Sequence, residues 1–186
     1  MAPQRVITVI GSINTDLVTV TERVPQGGET LESKSFSTGA GGKGANQAVA
    51  AARTSRSNPK NSSGPEALKS DVVVRFIGAV GGDPFGPTIV AGMKADGLDV
   101  TRIKVLDGQT TGVAVILVEE ATGENRILFN PGANNTLKPE HFTNIEQLGA
   151  PKPDLVVMQL EIPLDTVLTI IELCKAANVE IGRAHV

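Results

Sequence analysis

The sequence predicts an α/β fold: a doubly wound, mainly parallel sheet with flanking helices, and a small β-strand lid standing off it. Three observations carry this expectation. Short β-branched runs lie at 6–10 (VITVI), 72–77 (VVVRFI) and 155–158 (LVVM), each read as a strand buried on both faces. Helical stretches fall between them, so strand and helix alternate as in βαβ units. A different kind of segment, 17–21 (LVTVT), alternates apolar and polar residues as a half-exposed strand does, and has no place inside such a sheet.

In chain order, 6–10 is the first buried strand and ends at Gly11. The alternating run 17–21 comes next, and with two later strands, 113–118 and 126–129, it is expected to form a small antiparallel flap. The turn 121–124 joins those two strands. Alanine dominates 45–53, a helix whose small side chains let it sit close on the sheet. Residues 54–70 (TSRSNPKNSSGPEALKS) offer little to bury and read as a long polar loop without assigned function. After the strand at 72–77, Asp83 and Pro84 open a helix, the aspartate as N-cap and the proline at the first helical position. A helix is expected from Lys138 onward, another from Pro163 to about Ala177, and a last strand begins near Val179.

Composition excludes several functions. The chain has 186 residues, 40% hydrophobic, enough for a real core, with a formal net charge of −3 and no basic run to follow a phosphate backbone. Aromatic residues are 3% of the chain and Trp and Tyr are absent, which leaves no stacking platform for single strands. Nucleic acid and membrane are therefore not expected partners; a small molecule is. Cys174 is the single cysteine and lies in an apolar setting, so it reads as a packed thiol in a reducing compartment, with the cytoplasm as the default and the nucleus as a second location.

In an open α/β sheet the ligand crevice lies beyond the carboxyl ends of the strands. Polar residues just after a buried strand are the candidates. Asn14 and Asp16 follow the first strand at a spacing of two, which in extended chain places both side chains on one face. Glu161 follows the strand at 155–158. The third group is 39–46 (GAGGKGAN), a flexible turn running into a helix N-terminus whose free N–H groups favour oxygen ligands. It matches G-x-G-x-x-G literally but lacks the acid about 20 residues on that a dinucleotide fold needs, and residue 44 is glycine where a Walker loop needs Ser or Thr. Lys43 sits in the first helical turn, opposed by the dipole, and Asn46 shares its face. Each residue has an ordinary alternative: Asn14 and Asp16 as turn formers, Glu161 as a helix-start carboxylate, Lys43 as a surface charge. Together, two carboxylates, two amides and a lysine suit a ligand covered in hydroxyls, such as a sugar.

Six segments, 11–16 (GSINTD), 25–30 (PQGGET), 41–50 (GGKGANQAVA), 78–86 (GAVGGDPFG), 111–114 (TGVA) and 158–161 (MQLE), resemble in order the ribokinase/PfkB family of carbohydrate kinases. The resemblance implies a partial kinase domain over 1–181, with lid strands near 14–38 and 110–130 that also form a homodimer interface. It implies that Asn14, Asp16, Gly41, Gly42, Lys43, Asn46 and Glu161 bind the sugar. The reaction it implies is transfer of the ATP γ-phosphoryl group to the 5-hydroxyl of D-ribose, with Mg2+ and a monovalent cation such as K+. Other sugars bound by relatives, or a non-catalytic sugar-binding or dimerisation module, are the alternatives. The family's general base lies in a Gly-Ala-Gly-Asp segment, which this sequence does not contain. The base and nucleotide pocket are thus expected in a missing C-terminal part, the 186-residue chain is expected to be inactive, and 182–186 reads as a non-native tail.

Overall fold

Residues 4–56 and 70–183 are described by the computed structural model. The chain runs β1 (Arg5–Ile10), β2 (Asn14–Thr21), β3 (Ser35–Gly41), α1 (Lys43–Thr54), β4 (Val72–Gly81), α2 (Phe85–Ala95), β5 (Asp99–Leu106), β6 (Gly112–Glu119), β7 (Asn125–Asn130), β8 (Leu155–Met158), α3 (Leu164–Ala176) and β9 (Glu180–Arg183). Two sheets result: a five-stranded sheet of order β5-β4-β1-β8-β9 and a four-stranded sheet of order β3-β2-β6-β7. Every pairing in the larger sheet is parallel, with β1 between β4 and β8.

Adjacent residues of one strand point to opposite faces, and both faces of the larger sheet are buried. On one face Val9, Phe76 and Val80 pack with Ala45 and Ala48 of α1 and Ile89 and Met93 of α2. On the other, Ile10, Ile77 and Met158 pack with Val167, Ile170 and Cys174 of α3. This two-sided burial explains the unbroken apolar runs. It also places the carboxyl ends of β1 and β8 side by side, where the candidate residues follow. Among the described residues no helix is long and apolar enough to cross a membrane.

The structure differs from the sequence-based expectations at four places. The lid is not purely antiparallel: β2 pairs antiparallel with β3 but parallel with β6, because the chain passes through α1, β4 and β5 before returning to the lid. Gly39 to Gly41 are not turn residues; they end β3, and the turn into α1 is Gly42 alone. The helix expected from Lys138 is instead a series of 3-10 turns, Pro139–His141 and Ile145–Leu148. There the Asn144 side chain accepts from the Glu146 amide (3.1 Å) and Gln147 Oε1 accepts from the Asn144 amide (3.0 Å), so side chains take the donors a helical ladder would use. Strand β5 was not foreseen, since its charged Arg102 and Lys104 break the apolar run as edge strands tolerate. Most of the polar loop, 57–69, and residues 184–186 of the tail lie outside the described residues.

Candidate functional site

The site begins at the end of β1, where Gly11 and Ser12 meet the first turn of α1. A Cβ on Gly44 would stand 2.6 Å from the Ser12 nitrogen, so only glycine lets the helix start this close. Gly42 has φ 92°, and a Cβ there would meet the Ser12 carbonyl oxygen at 2.8 Å and the Asn14 nitrogen at 2.9 Å. Backbone conformation and space both require glycine at this turn. The Ala45 amide then donates to the Ser12 carbonyl (2.9 Å), pinning helix to strand.

Glu161, three residues past β8, reaches the N-terminus of α1 rather than its own helix. Its Oε2 accepts from Ser12 Oγ (2.6 Å) and from the Lys43 amide (2.9 Å). Its Oε1 lies 3.8 Å from Lys43 Nζ. One carboxylate therefore satisfies a free helical amide, faces the positive dipole end and offsets the lysine that the dipole disfavours.

Asn14 and Asp16 lie on β2 and project to one face, as their spacing predicts. Asn14 is buried and Asp16 half-buried. Burial first, and then the Glu161 charge, pushes the Asp16 carboxyl above its ordinary range. A Cβ on Gly41 would fall on that carboxylate, so Gly41 leaves room for Asp16 to enter the site. Asn46 is exposed one turn into α1.

These groups line one open cleft of about 550 Å3: Asn14, Asp16, Gly42, Lys43, Asn46 and Glu161 form its polar wall. Gly41 stands behind the wall. The opposite wall is apolar and comes from the lid, with Ala114 and Ile116 of β6 and Ile127 and Phe129 of β7. Polar groups can pair with hydroxyls while the apolar strip covers carbon and excludes water. A groove of similar size, about 570 Å3, runs between α1, α2 and the other face of β2–β3. It shares only Asn46 with the cleft and holds neither Asp16 nor Glu161.

Three contributors escaped sequence reasoning. Ser12 is fully buried and links Glu161 to the Gly44 amide, which donates to Ser12 Oγ at 3.2 Å. Asn134, also fully buried, bonds to Ile13 and Asn14. The apolar lid wall was the third. The run 131–136 (PGANNT), turn residues directly after a strand, is the signal that could have found Asn134. Among the described residues no group of three or more His, Cys, Asp or Glu side chains comes together to hold a metal ion.

A model of the pfkB family carbohydrate kinases matches residues 4–184. The ribokinase of Schizosaccharomyces pombe is 45% identical over 177 residues, covering 94% of this chain and 51% of the relative. Among solved structures, ribokinase from Giardia lamblia superposes with a TM-score of 0.76 at 36% identity, covering 96% of this chain and 53% of that one. Arabidopsis thaliana ribokinase complexed with ribose and ATP gives 0.76 at 29% identity, covering 98% and 53%. The chain thus spans about half the length of the curated relatives it matches.

Proposed function

This chain belongs to the pfkB family of carbohydrate kinases, and from that premise we propose that it holds the sugar-recognition part of an ATP-dependent kinase forming D-ribose 5-phosphate from D-ribose. The observation that carries the reading is the cleft itself. Two carboxylates, two amides, a lysine and the N-terminus of α1 converge from three separate segments opposite an apolar wall. A ribose has the matching chemistry, since its hydroxyls donate to carboxylates and accept from amides while its carbon skeleton lies against Ile116, Ile127 and Phe129.

Phosphoryl transfer depends on positioning and on electrostatic stabilisation of spread charge. In this reading Asp16 and Asn14 fix the ring hydroxyls, Asn46 approaches from the helix side, and Glu161 holds Lys43 and the start of α1 in register. ATP is the phosphoryl donor, with Mg2+ and a monovalent cation such as K+ accompanying it. The described residues bring together no group of three or more His, Cys, Asp or Glu side chains, so no ligands for those ions are assigned among them. The reaction is placed in the cytoplasm, and the lid serves a homodimer.

Calorimetric titration of the purified chain with D-ribose, D-fructose and adenosine tests the reading. Saturable ribose binding that Asp16→Ala removes supports it. Equal or absent binding of all three ligands, or ribose binding indifferent to Asp16, overturns it.

A further inference from the structure

The hydrogen bonds beneath the cleft settle which end of the Asn14 amide faces a ligand. The starting point is a group with no choice: the backbone N–H of Ile13 can only donate. It donates to Asn134 Oδ1 at 2.9 Å. That leaves Asn134 Nδ2 as the donor end, and it reaches the Ile13 carbonyl (3.2 Å) and Asn14 Oδ1 (2.8 Å). Asn14 Oδ1 is thereby engaged from below, and Asn14 Nδ2 is the end left for the cleft. Asn134 is fully buried, and a Cβ on Gly112 would collide with Asn14 Oδ1 and Asn134 Nδ2, so glycine there leaves the two amides room to meet. A reversed Asn134 would set two N–H groups against each other at Ile13, at the cost of a buried unsatisfied donor.

We propose that Asn134 is a positioning residue that fixes the polarity of the sugar site. It presents Asn14 as a pure donor beside Asp16, a pure acceptor when ionised, so the two discriminate ligand groups by complementary chemistry. Asn14 requires an oxygen lone pair, and Asp16 requires an O–H. The sugar-specific part of this proposal rests on the reading of the cleft as a ribose site; the orientation of the amides does not.

The test has two arms on the full 186-residue chain. Without ligand, side-chain amide hydrogen exchange is followed by 15N NMR. The Asn134 NH2 is expected to be protected and the Asn14 NH2 to exchange at least tenfold faster. The reverse order overturns the proposal whether or not any sugar binds. With ligand, D-ribose and its 1-, 2-, 3- and 5-deoxy analogues are titrated into the parent chain, Asn14→Ala and Asn134→Ala. One hydroxyl should show a deletion penalty of about tenfold in the parent, the scale of one hydrogen bond. That penalty should disappear in both variants while the penalty assigned to Asp16 remains. Uniform weakening of every analogue in Asn134→Ala means a merely structural role and overturns the proposal. Should Asn134→Ala fail to fold, the exchange arm decides alone. Should no analogue bind the parent chain, the ribose reading fails, and the exchange order still judges the amide relay.

Discussion

Asp16 carries opposed demands. Burial and the neighbouring Glu161 favour its protonated form and raise its pKa above the ordinary 3.8. The folded chain therefore holds this proton more tightly than the unfolded chain, and the contribution of Asp16 to stability falls as pH rises from about 3.8 through the raised folded value. Asp16→Asn should remove that penalty and raise the melting temperature at pH 7, while ribose affinity drops roughly tenfold to hundredfold because a charge-assisted hydrogen bond is lost. Thermal melts and titrations of the same variant check both; a variant that loses stability together with affinity contradicts this account. Ribose affinity of the parent chain should likewise weaken on acidification at a pH above that of an ordinary carboxylate. Cys174 poses no such conflict. Fully buried between α3, to which it belongs, and the sheet, its thiol is pushed up to about 11 by burial. Labelling by a thiol reagent at pH 8 should proceed only after denaturation.

The junctions between elements hold the cleft in shape. Gly42 is the whole turn between β3 and α1, and its positive φ with backbone atoms on the would-be Cβ makes substitution costly. Gly42→Ala should lose about 1–3 kcal/mol in denaturant unfolding, whereas Lys43→Ala, whose ion pair with Glu161 is half-exposed, should lose less than about 1 kcal/mol. A second junction joins the larger sheet to the lid at Asp83. Its Oδ1 accepts from the amides of Phe85 (3.0 Å) and Gly86 (3.1 Å) and from Thr111 Oγ1 (2.8 Å), and its Oδ2 from the Thr111 amide. Burial alone would raise the Asp83 pKa, but the combined donors of Thr111, Gly86 and Phe85 prevail and lower it. The stabilisation is thus present above the unfolded pKa and is lost as pH falls through the lowered folded one. Asp83→Ala should cost about 2 kcal/mol at pH 7 and less in acid, as chemical unfolding at the two pH values would show. The sequence made the capping role of Asp83 legible through its neighbour Pro84. Its hold on Thr111 was not legible, because that contact joins residues 28 apart.

At the scale of the molecule, the larger sheet was readable because strands buried on both faces leave continuous apolar runs, and β1, β4 and β8 all announced themselves in this way. That Asn14, Asp16 and Glu161 would meet at one cleft was readable for a related reason: they follow those strands directly. The lid was less so. Its register depends on β2 meeting β6 in parallel after a long excursion, and no local pattern encodes such a pairing. The register nevertheless gives the lid two distinct faces. Asp16, Ala114 and Phe129 align on the face toward the cleft, and Leu17, Val115 and Leu128 on the other. On that outer face Phe36 of β3 is 62%, Val115 of β6 41% and Leu128 of β7 75% exposed, apolar surface spread from one edge of the lid to the other. The proposed homodimer would cover it. Leu128→Asp should then convert a dimer to a monomer in light scattering without lowering thermal stability of the monomer. Ile127→Asp, one residue away but facing the cleft, should leave the dimer intact and weaken ribose binding instead. A parent chain that is monomeric at concentrations of tens of micromolar, or a Leu128→Asp chain that stays dimeric, would remove the lid from the interface.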